Sequence, residues 1–400
     1  MRSRALLLLL LCSLLAGAAN AEPSPDQTYK DCHPGDKAAL LAVKAALGEA
    51  YHFASWTPDN PCCDWYDVTC DHFTGRVVGL AVFQDANLTG TIPSALAGLP
   101  HLQDLTLRHL PALSGPIPPA IGKLSNLSSL RISWTAVSGP VPSFLGALKK
   151  LTFLELSFNS LTGAIPASLG TIPNLSGINL SRNRLTGAIP PLFLTKSSDQ
   201  DVYLWLSHNN LTGRIPAEFA AVNFTHLDLS RNALTGDASG LFGRGKELQY
   251  IDLSRNDLDF ELSGVVLPEQ LYFVDVSHNA IHGNIPAQVA SLSNLTGDAS
   301  GLFGSGKELQ YIDLSRNAFD FDLSGVVLPE RLNFADVSHN AIHGSIPAQV
   351  ATAANLNFFN VSYNRLCGPV PAGGNMARFD LYNFEHNKCL CGAPLPSCNK

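Results

Sequence analysis

The chain reads as a right-handed α/β solenoid with a parallel β-sheet along its concave side. Three observations predict it. The pattern L-x-x-L-x-L-S-x-N-x-L-T-G-x-I-P returns about every 24 residues, cleanly in LTFLELSFNSLTGAIP from Leu151, LSGINLSRNRLTGAIP from Leu175 and VYLWLSHNNLTGRIP from Val202. A fixed period of that length marks stacked repeats, each too small to bury its apolar face alone. Within each copy, alternation turns the L-x-L pair inward and the residue between them outward, as in a strand. Finally, cysteines cluster only before and after the repeats, where a solenoid needs caps. Parallel strands joined by crossovers take the right hand.

Residues 1–21 read as a secretory signal. Arg2 and Arg4 form a basic start, Ala5 to Ala16 an apolar stretch, and Ala19-Asn20-Ala21 a small-residue cleavage site. The apolar stretch falls short of the roughly 20 residues that cross a bilayer, and no later stretch qualifies, so a soluble secreted protein with no transmembrane anchor is expected. Losing the two arginines takes the formal charge from −7 to −9. A mildly acidic secreted chain argues against nucleic acid and favours a basic protein partner.

Residues 22–75 form an N-terminal cap with Cys32, Cys62, Cys63 and Cys70, and residues 367–400 a C-terminal cap with Cys367, Cys389, Cys391 and Cys398. An even count in a secreted chain implies disulfides. The spacing around Cys389 and Cys391 matches no structural zinc site, so neither metal nor cofactor is expected.

Residues 76–366 form the solenoid. Leu154 and Leu156 point inward and Glu155 outward; Leu161 and Ile165 fill the same core. Gly163 tolerates positive φ and Pro166 fixes its own, which sets the turn. An Asn follows each strand, as at Asn159, Asn183, Asn209, Asn232, Asn256, Asn279, Asn317, Asn340 and Asn364, placed to satisfy the backbone of adjacent turns. About twelve units result, centred near Leu80, Leu105, Leu130, Leu154, Ile178, Leu204, Leu227, Ile251, Val274, Ile312, Ala335 and Phe359. Spacings run from 23 to 26, except the 38 between Val274 and Ile312. Residues 234–294 and 295–355 are near copies, identical at 50 of 61 positions. Sixty-one is not a multiple of the period, so the stack is expected to break at the join. The surplus should loop out over residues 287–306, because Asp298 and Ser300 stand where a strand needs apolar residues. Ala335 and Ala353 in the second copy replace Val274 and Leu292.

The turn L-x-G-x-I-P resembles that of plant extracellular leucine-rich-repeat proteins. Three segments bring the chain closer to the polygalacturonase-inhibiting protein family: DCHPGDKAALLAVKAAL with SWTPDNPCCDW; LDLSRNALTGDASGLFG with the variant DLDFELSGVVLPEQL; and LCGPVPAGGNMARFD with NKCLCGAPLPSC. The resemblance implies a secreted cell-wall protein that binds fungal or insect polygalacturonase through its concave strands and protects pectin, itself a possible ligand. It implies the pairing Cys32–Cys62, Cys63–Cys70, Cys367–Cys389 and Cys391–Cys398. The extra 61 residues depart from the family's pattern of about ten repeats.

No catalytic constellation is expected. Asp228, Asp252, Asp275, Asp313 and Asp336 recur at the outward strand position, a ladder that singles out no glycosidase-like carboxylate pair. Arg231, Arg255, His278, Arg316 and His339 follow three residues later. The ladder reads either as a solvated consensus face or as an acidic strip, rimmed by arginine, for a basic partner. Trp134, Phe158, Tyr203 and Trp205 fall at or beside outward positions, among Arg108, Arg131, Glu155, Arg182 and His208. Exposed Trp, Tyr and Arg are the residue types of interface hot spots, so this set is the candidate partner-binding surface. Eight N-x-S/T sequons occur. Glycosylation is expected among Asn87, Asn126, Asn174, Asn210, Asn223, Asn294 and Asn360; Asn179, inside the candidate surface, is expected to stay bare. Two other functions remain: an extracellular recognition protein in developmental or defence signalling, binding a peptide or receptor ectodomain, and an ice-binding protein. The latter wants a flat Thr-like array, which the outward Asp, Arg and Trp oppose.

Overall fold

The computed structural model describes residues 31–398 apart from 49, 192–193, 195–200, 244, 264 and 284–307. The signal segment 1–21, the expected loop 287–306, Leu292 and the Asn294 sequon lie outside the described residues.

The chain forms a right-handed leucine-rich-repeat solenoid. Each repeat contributes one short concave strand, and the inward residues of those strands stack in register: Leu80, Leu105, Leu130, Leu154, Ile178, Leu204, Leu227, Ile251, Val274, Ile312, Ala335 and Phe359. All twelve are buried. Among the described residues the only antiparallel neighbour is the cap strand Val68–Cys70, which covers the open edge at Val77–Phe83. In several repeats an I-P or V-P pair beyond the strand opens a short 3-10 turn on the convex side, as at Ser94–Gly98, Ser143–Ala147 and Ala167–Thr171. Proline is suited to that position because it needs no amide partner there.

Asparagine locks the repeats together. Asn183 donates from Nδ2 to the carbonyls of Leu156 (2.8 Å) and Leu180 (3.0 Å), and its Oδ1 accepts from the Leu161 amide at 3.0 Å. A buried amide so placed satisfies backbone groups on two successive coils.

A second row of strands, not evident in the repeat pattern, runs along one flank: Ser160–Gly163, Arg184–Gly187, Asn210–Arg214, Ala233–Gly236 and Asp257–Leu258 pair parallel. The two long strands Asp104–Gly115 and Ser129–Pro140 run through both rows and join them into one 19-stranded sheet. Gly163, at φ +76°, ends its flank strand in a conformation that costs glycine nothing.

The concave strands stay adjacent across the duplication, while the expected loop lies outside the described residues. Phe273–Asp275 pairs directly with Tyr311–Asp313. The Asn ladder also continues, Asn317 Nδ2 donating to the Val276 carbonyl at 3.0 Å. The reason is chemical: the strands on either side share one pattern, V-D-V-S-H-N from Val274 and I-D-L-S-R-N from Ile312, so each offers the other the same ladder groups across the 38-residue interval.

Four disulfides close the caps, Cys32–Cys62, Cys63–Cys70, Cys367–Cys389 and Cys391–Cys398. The N-terminal cap packs the helix Pro34–Leu47 through Leu40, Val43 and Leu47. Asp36 on that helix is fully buried and accepts from Arg76 Nε (2.9 Å), Arg76 Nη2 (2.7 Å) and the Val77 amide (2.8 Å). One carboxylate thus fixes the helix to the first concave strand.

Candidate functional site

The outward side chains of the concave face form three columns, set by one residue's position relative to L-x-L. The middle column is the residue between the two inward ones. Strand register places Thr106, Arg131, Glu155, Asn179, Trp205, Asp228, Asp252, Asp275, Asp313, Asp336 and Asn360 side by side. Its first half is mixed in character and its second half acidic.

The rim column follows the buried Ser after each strand. These residues all take positive φ, from His109 at +54° and Trp134 at +56° through Phe158, Arg182, His208, Arg231, Arg255, His278, Arg316 and His339. Non-glycine residues avoid that region at a cost of about 1–2 kcal/mol, so the surrounding bonds must hold it. They do: the Phe158 amide donates to Ser181 O at 3.0 Å, and the following Asn159 amide to Arg182 O at 3.2 Å. The left-handed turn swings the Asn inward and throws the rim side chain out.

Along this rim His109, Trp134, Phe158 and Arg182 stack in sequence. Ring centroids are 5.2 Å apart for His109–Trp134 and 3.6 Å for Trp134–Phe158, and the Arg182 guanidinium sits 4.9 Å from the Phe158 ring. Trp134 stays 42% exposed, the most exposed Trp of the described face. His208 follows, half-buried; burial first, then the Arg182 and Arg231 charges, lower its pKa. Arg131 lies 5.0 Å from the Phe153 ring and 3.9 Å from Glu155 Oε2. Arg108 occupies the Ser position and points to solvent, one residue before His109, which holds the rim site in that repeat.

The third column precedes the first inward residue. It carries a ladder of stacked rings, His226, Tyr250, Phe273, Tyr311, Phe334 and Phe358, with centroids 3.9 to 4.4 Å apart. Trp205 joins its end, stacked on Tyr203 at 5.2 Å and 5.0 Å from His226. Burial lowers the His226 pKa to about 4, against a smaller opposing pull from Asp228. Of this ladder the sequence reading picked out only Tyr203. The signal was present as a repeated aromatic one residue before L-x-L.

The acidic half of the middle column has a structural explanation. Each Asp accepts from the amide of the Ser two residues on, at 3.0 Å for Asp228, 2.9 Å for Asp252 and 2.9 Å for Asp275. No ion pair within 4 Å joins it to the Arg and His of the rim among the described residues. The carboxylates therefore repel along the ladder. Burial, and then the neighbouring Asp252 and Asp313, push Asp275 up to about 7. Burial raises Asp252 and Asp313 to about 6 each. With the folded pKa above the unfolded 3.8, the folded state holds extra protons between about pH 4 and 7, and stability falls as pH rises through that window. Asn179 and Asn360 show the remedy, since each accepts the same Ser amide at 3.1 Å without charge. Asp275→Asn is expected to raise the melting temperature at pH 8 and leave it unchanged at pH 4. A gain of equal size at both pH values, read by differential scanning calorimetry, contradicts this.

A leucine-rich-repeat N-terminal-domain model matches residues 33–71, and the leucine-rich-repeat model matches 150–172, 174–195 and 202–221. A polygalacturonase inhibitor of Pyrus communis is 47% identical over 92% of each chain, and one of Vitis vinifera 44% identical over 98% of each. The chain belongs to the polygalacturonase inhibitor family. The fold is also that of a plant ice-binding protein, 40% identical, with a TM-score of 0.62 over 92% of this chain and 99% of that one.

For this polygalacturonase inhibitor family member, the sequons sort by geometry. Asn87, Asn174 and Asn210 are exposed. Asn126 spends its amide on Pro100 O (2.8 Å) and Lys150 Nζ (2.7 Å), Asn223 accepts from the Glu247 amide at 2.8 Å, and Asn360 donates to Asp336 Oδ2 at 3.2 Å. Asn179 lies mid-face beside Trp205 and Glu155. Glycopeptide mapping is expected to find sugar at the three exposed sites and none at Asn179; full occupancy at Asn179 moves the binding surface elsewhere.

Proposed function

We propose that this protein is a secreted cell-wall defence protein, not an enzyme, that inhibits pathogen polygalacturonase by seating it on the concave face. Family membership supports the activity. The observation that carries the surface is the rigid run His109–Trp134–Phe158–Arg182 beside the middle column, a desolvatable aromatic centre flanked by charge. Aromatic and Arg anchors of this kind dominate protein interfaces, and prior stacking reduces the entropy lost on binding. The Asp strip from Asp228 to Asp336 then suits basic groups of the enzyme, with Arg231, Arg255 and His278 fixing orientation. Fungal or insect enzymes are the partners, and the Arg182, Arg231, Arg255 and Arg316 rim suits anionic pectin.

Titrating the protein against a panel of fungal and insect polygalacturonases, with residual activity as readout, tests the reading. Saturable inhibition of at least one enzyme is expected. Trp205→Ala is expected to weaken it by about 2 kcal/mol, near 30-fold. Full activity of every enzyme at saturating protein contradicts the function, and unchanged affinity in a folded Trp205→Ala variant removes Trp205 from the surface.

A further inference from the structure

A cavity of about 460 Å³ opens where the N-terminal cap meets the first concave strand. That size accommodates a small ligand. Its walls include Tyr51, His52, Tyr66, Phe83, Gln84 and Asp85. Two aromatic rings are presented to solvent at its mouth: Tyr51 is 92% exposed and Tyr66 52%. Neither contributes to the core, and a cap whose only task was covering the first repeat would gain nothing from showing them. Tyr66 is nonetheless held in place. Its ring meets His52 edge-on at 5.2 Å, and its backbone amide donates to Ser55 Oγ at 2.9 Å. His52 is fixed in turn by donating from Nε2 to the Ala81 carbonyl at 3.2 Å, and burial lowers its pKa. Gln84 takes the positive-φ rim position of the first strand, which turns its amide outward. Asp85 uses Oδ1 to accept from the Asn87 amide at 2.9 Å, leaving Oδ2 for a ligand hydroxyl.

We propose that this cavity is a binding site for uncharged pyranose rings, at the cap end of the concave face beyond the His109 end of the enzyme-binding columns. Two exposed rings, of which Tyr66 is held in place, bordered by one amide and one carboxylate match the chemistry of a sugar. The C–H face of a pyranose is weakly electropositive and packs on the negative face of an aromatic ring. Its vicinal hydroxyls need donors and acceptors, which Gln84 and Asp85 supply. Charge selects the class. Among the described residues lining the cavity none is Lys or Arg, and Asp85 is acidic, so a polyuronate is repelled while a neutral glycan is not. The ring has two possible sources. One is a neutral wall oligosaccharide; the other is the chain's own glycan at the Asn87 sequon, two residues from Asp85.

Calorimetric titration of the full chain with cellohexaose, chitohexaose and hexagalacturonate tests the site, using wild type and Asn87→Gln. A neutral hexamer is expected to bind, with hexagalacturonate at least about tenfold weaker and Tyr66→Ala lowering affinity at least about tenfold. Inhibition of polygalacturonase should be unchanged in Tyr66→Ala, so failure here is distinct from failure of the inhibitory reading. Should that variant misfold, the more exposed Tyr51→Ala replaces it. Binding seen only in Asn87→Gln identifies the chain's own glycan as the occupant. No neutral binding in either protein, equal binding of hexagalacturonate, or neutral binding indifferent to both tyrosines overturns the proposal.

Discussion

Trp134→Ala is expected to weaken polygalacturonase inhibition by at least about 2 kcal/mol, 30-fold or more, while the melting temperature barely moves. The asymmetry follows from where the ring sits. It stands on the rim outside the leucine core, 42% exposed, so its removal opens no interior cavity. It is also clamped between His109 and Phe158, so its rotamer is chosen before the partner arrives. A large ring that is both exposed and already ordered returns most of its burial as affinity. Trp134→Phe should recover part of the loss, because a smaller ring retains stacking on Phe158. Binding by surface plasmon resonance and melting by calorimetry, run on the same preparations, check this; equal loss of both would mean that Trp134 serves the fold.

Asp36→Ala is expected to have the largest effect on stability, about 3–5 kcal/mol. The carboxylate is fully buried and joins three donors that no other group replaces: two guanidinium nitrogens of Arg76 and the Val77 amide. Removing it strands a partly buried cation and an unpaired amide at the first strand, where the solenoid's open edge begins. Asp36→Asn should cost less, since it fills the same volume and keeps one acceptor oxygen, although its amide nitrogen cannot accept from a donor and the charge is lost. Chemical denaturation is expected to show the Asp36→Ala transition at lower denaturant than Asp36→Asn, and both below wild type. An Asp36→Ala midpoint equal to wild type contradicts the role of this pair.

Much of the fold was legible in the sequence because a repeat fixes each residue's position in its coil. Alternation about Leu154 and Leu156 located the inward residues, and the same offset placed Asp228 through Asp336 in one column. The Asn after each strand was legible for a similar reason, its amide having one satisfiable orientation. What escaped were contacts between coils that no repeated residue marks by itself. The flank strands at Ser160–Gly163 and beyond pair only once neighbouring coils sit about 4.8 Å apart. The ring ladder from His226 to Phe358 arises from that same spacing, which is near the stacking distance of aromatic rings. Asp36 and Arg76 lie 40 residues apart with no pattern linking them. His109 escaped because its repeat has Arg108 where the others carry the marker Ser, so the pattern did not point to the positive-φ residue that follows. The direct pairing of the strands at Val274 and Ile312 could not be read from their 38-residue spacing, which measures chain length, whereas strand pairing depends on the residues at each end.

The central claim is that the concave columns are the inhibitory surface. Hydrogen–deuterium exchange of the protein alone and saturated with an inhibited polygalacturonase tests it most directly. Slowed exchange is expected in peptides covering residues 131–134, 155–158, 179–182, 203–208 and 226–231, with the convex turns at Ser143–Ala147 and Ala167–Thr171 unchanged. Protection confined to those convex turns, with the concave peptides exchanging as in the free protein, would contradict it.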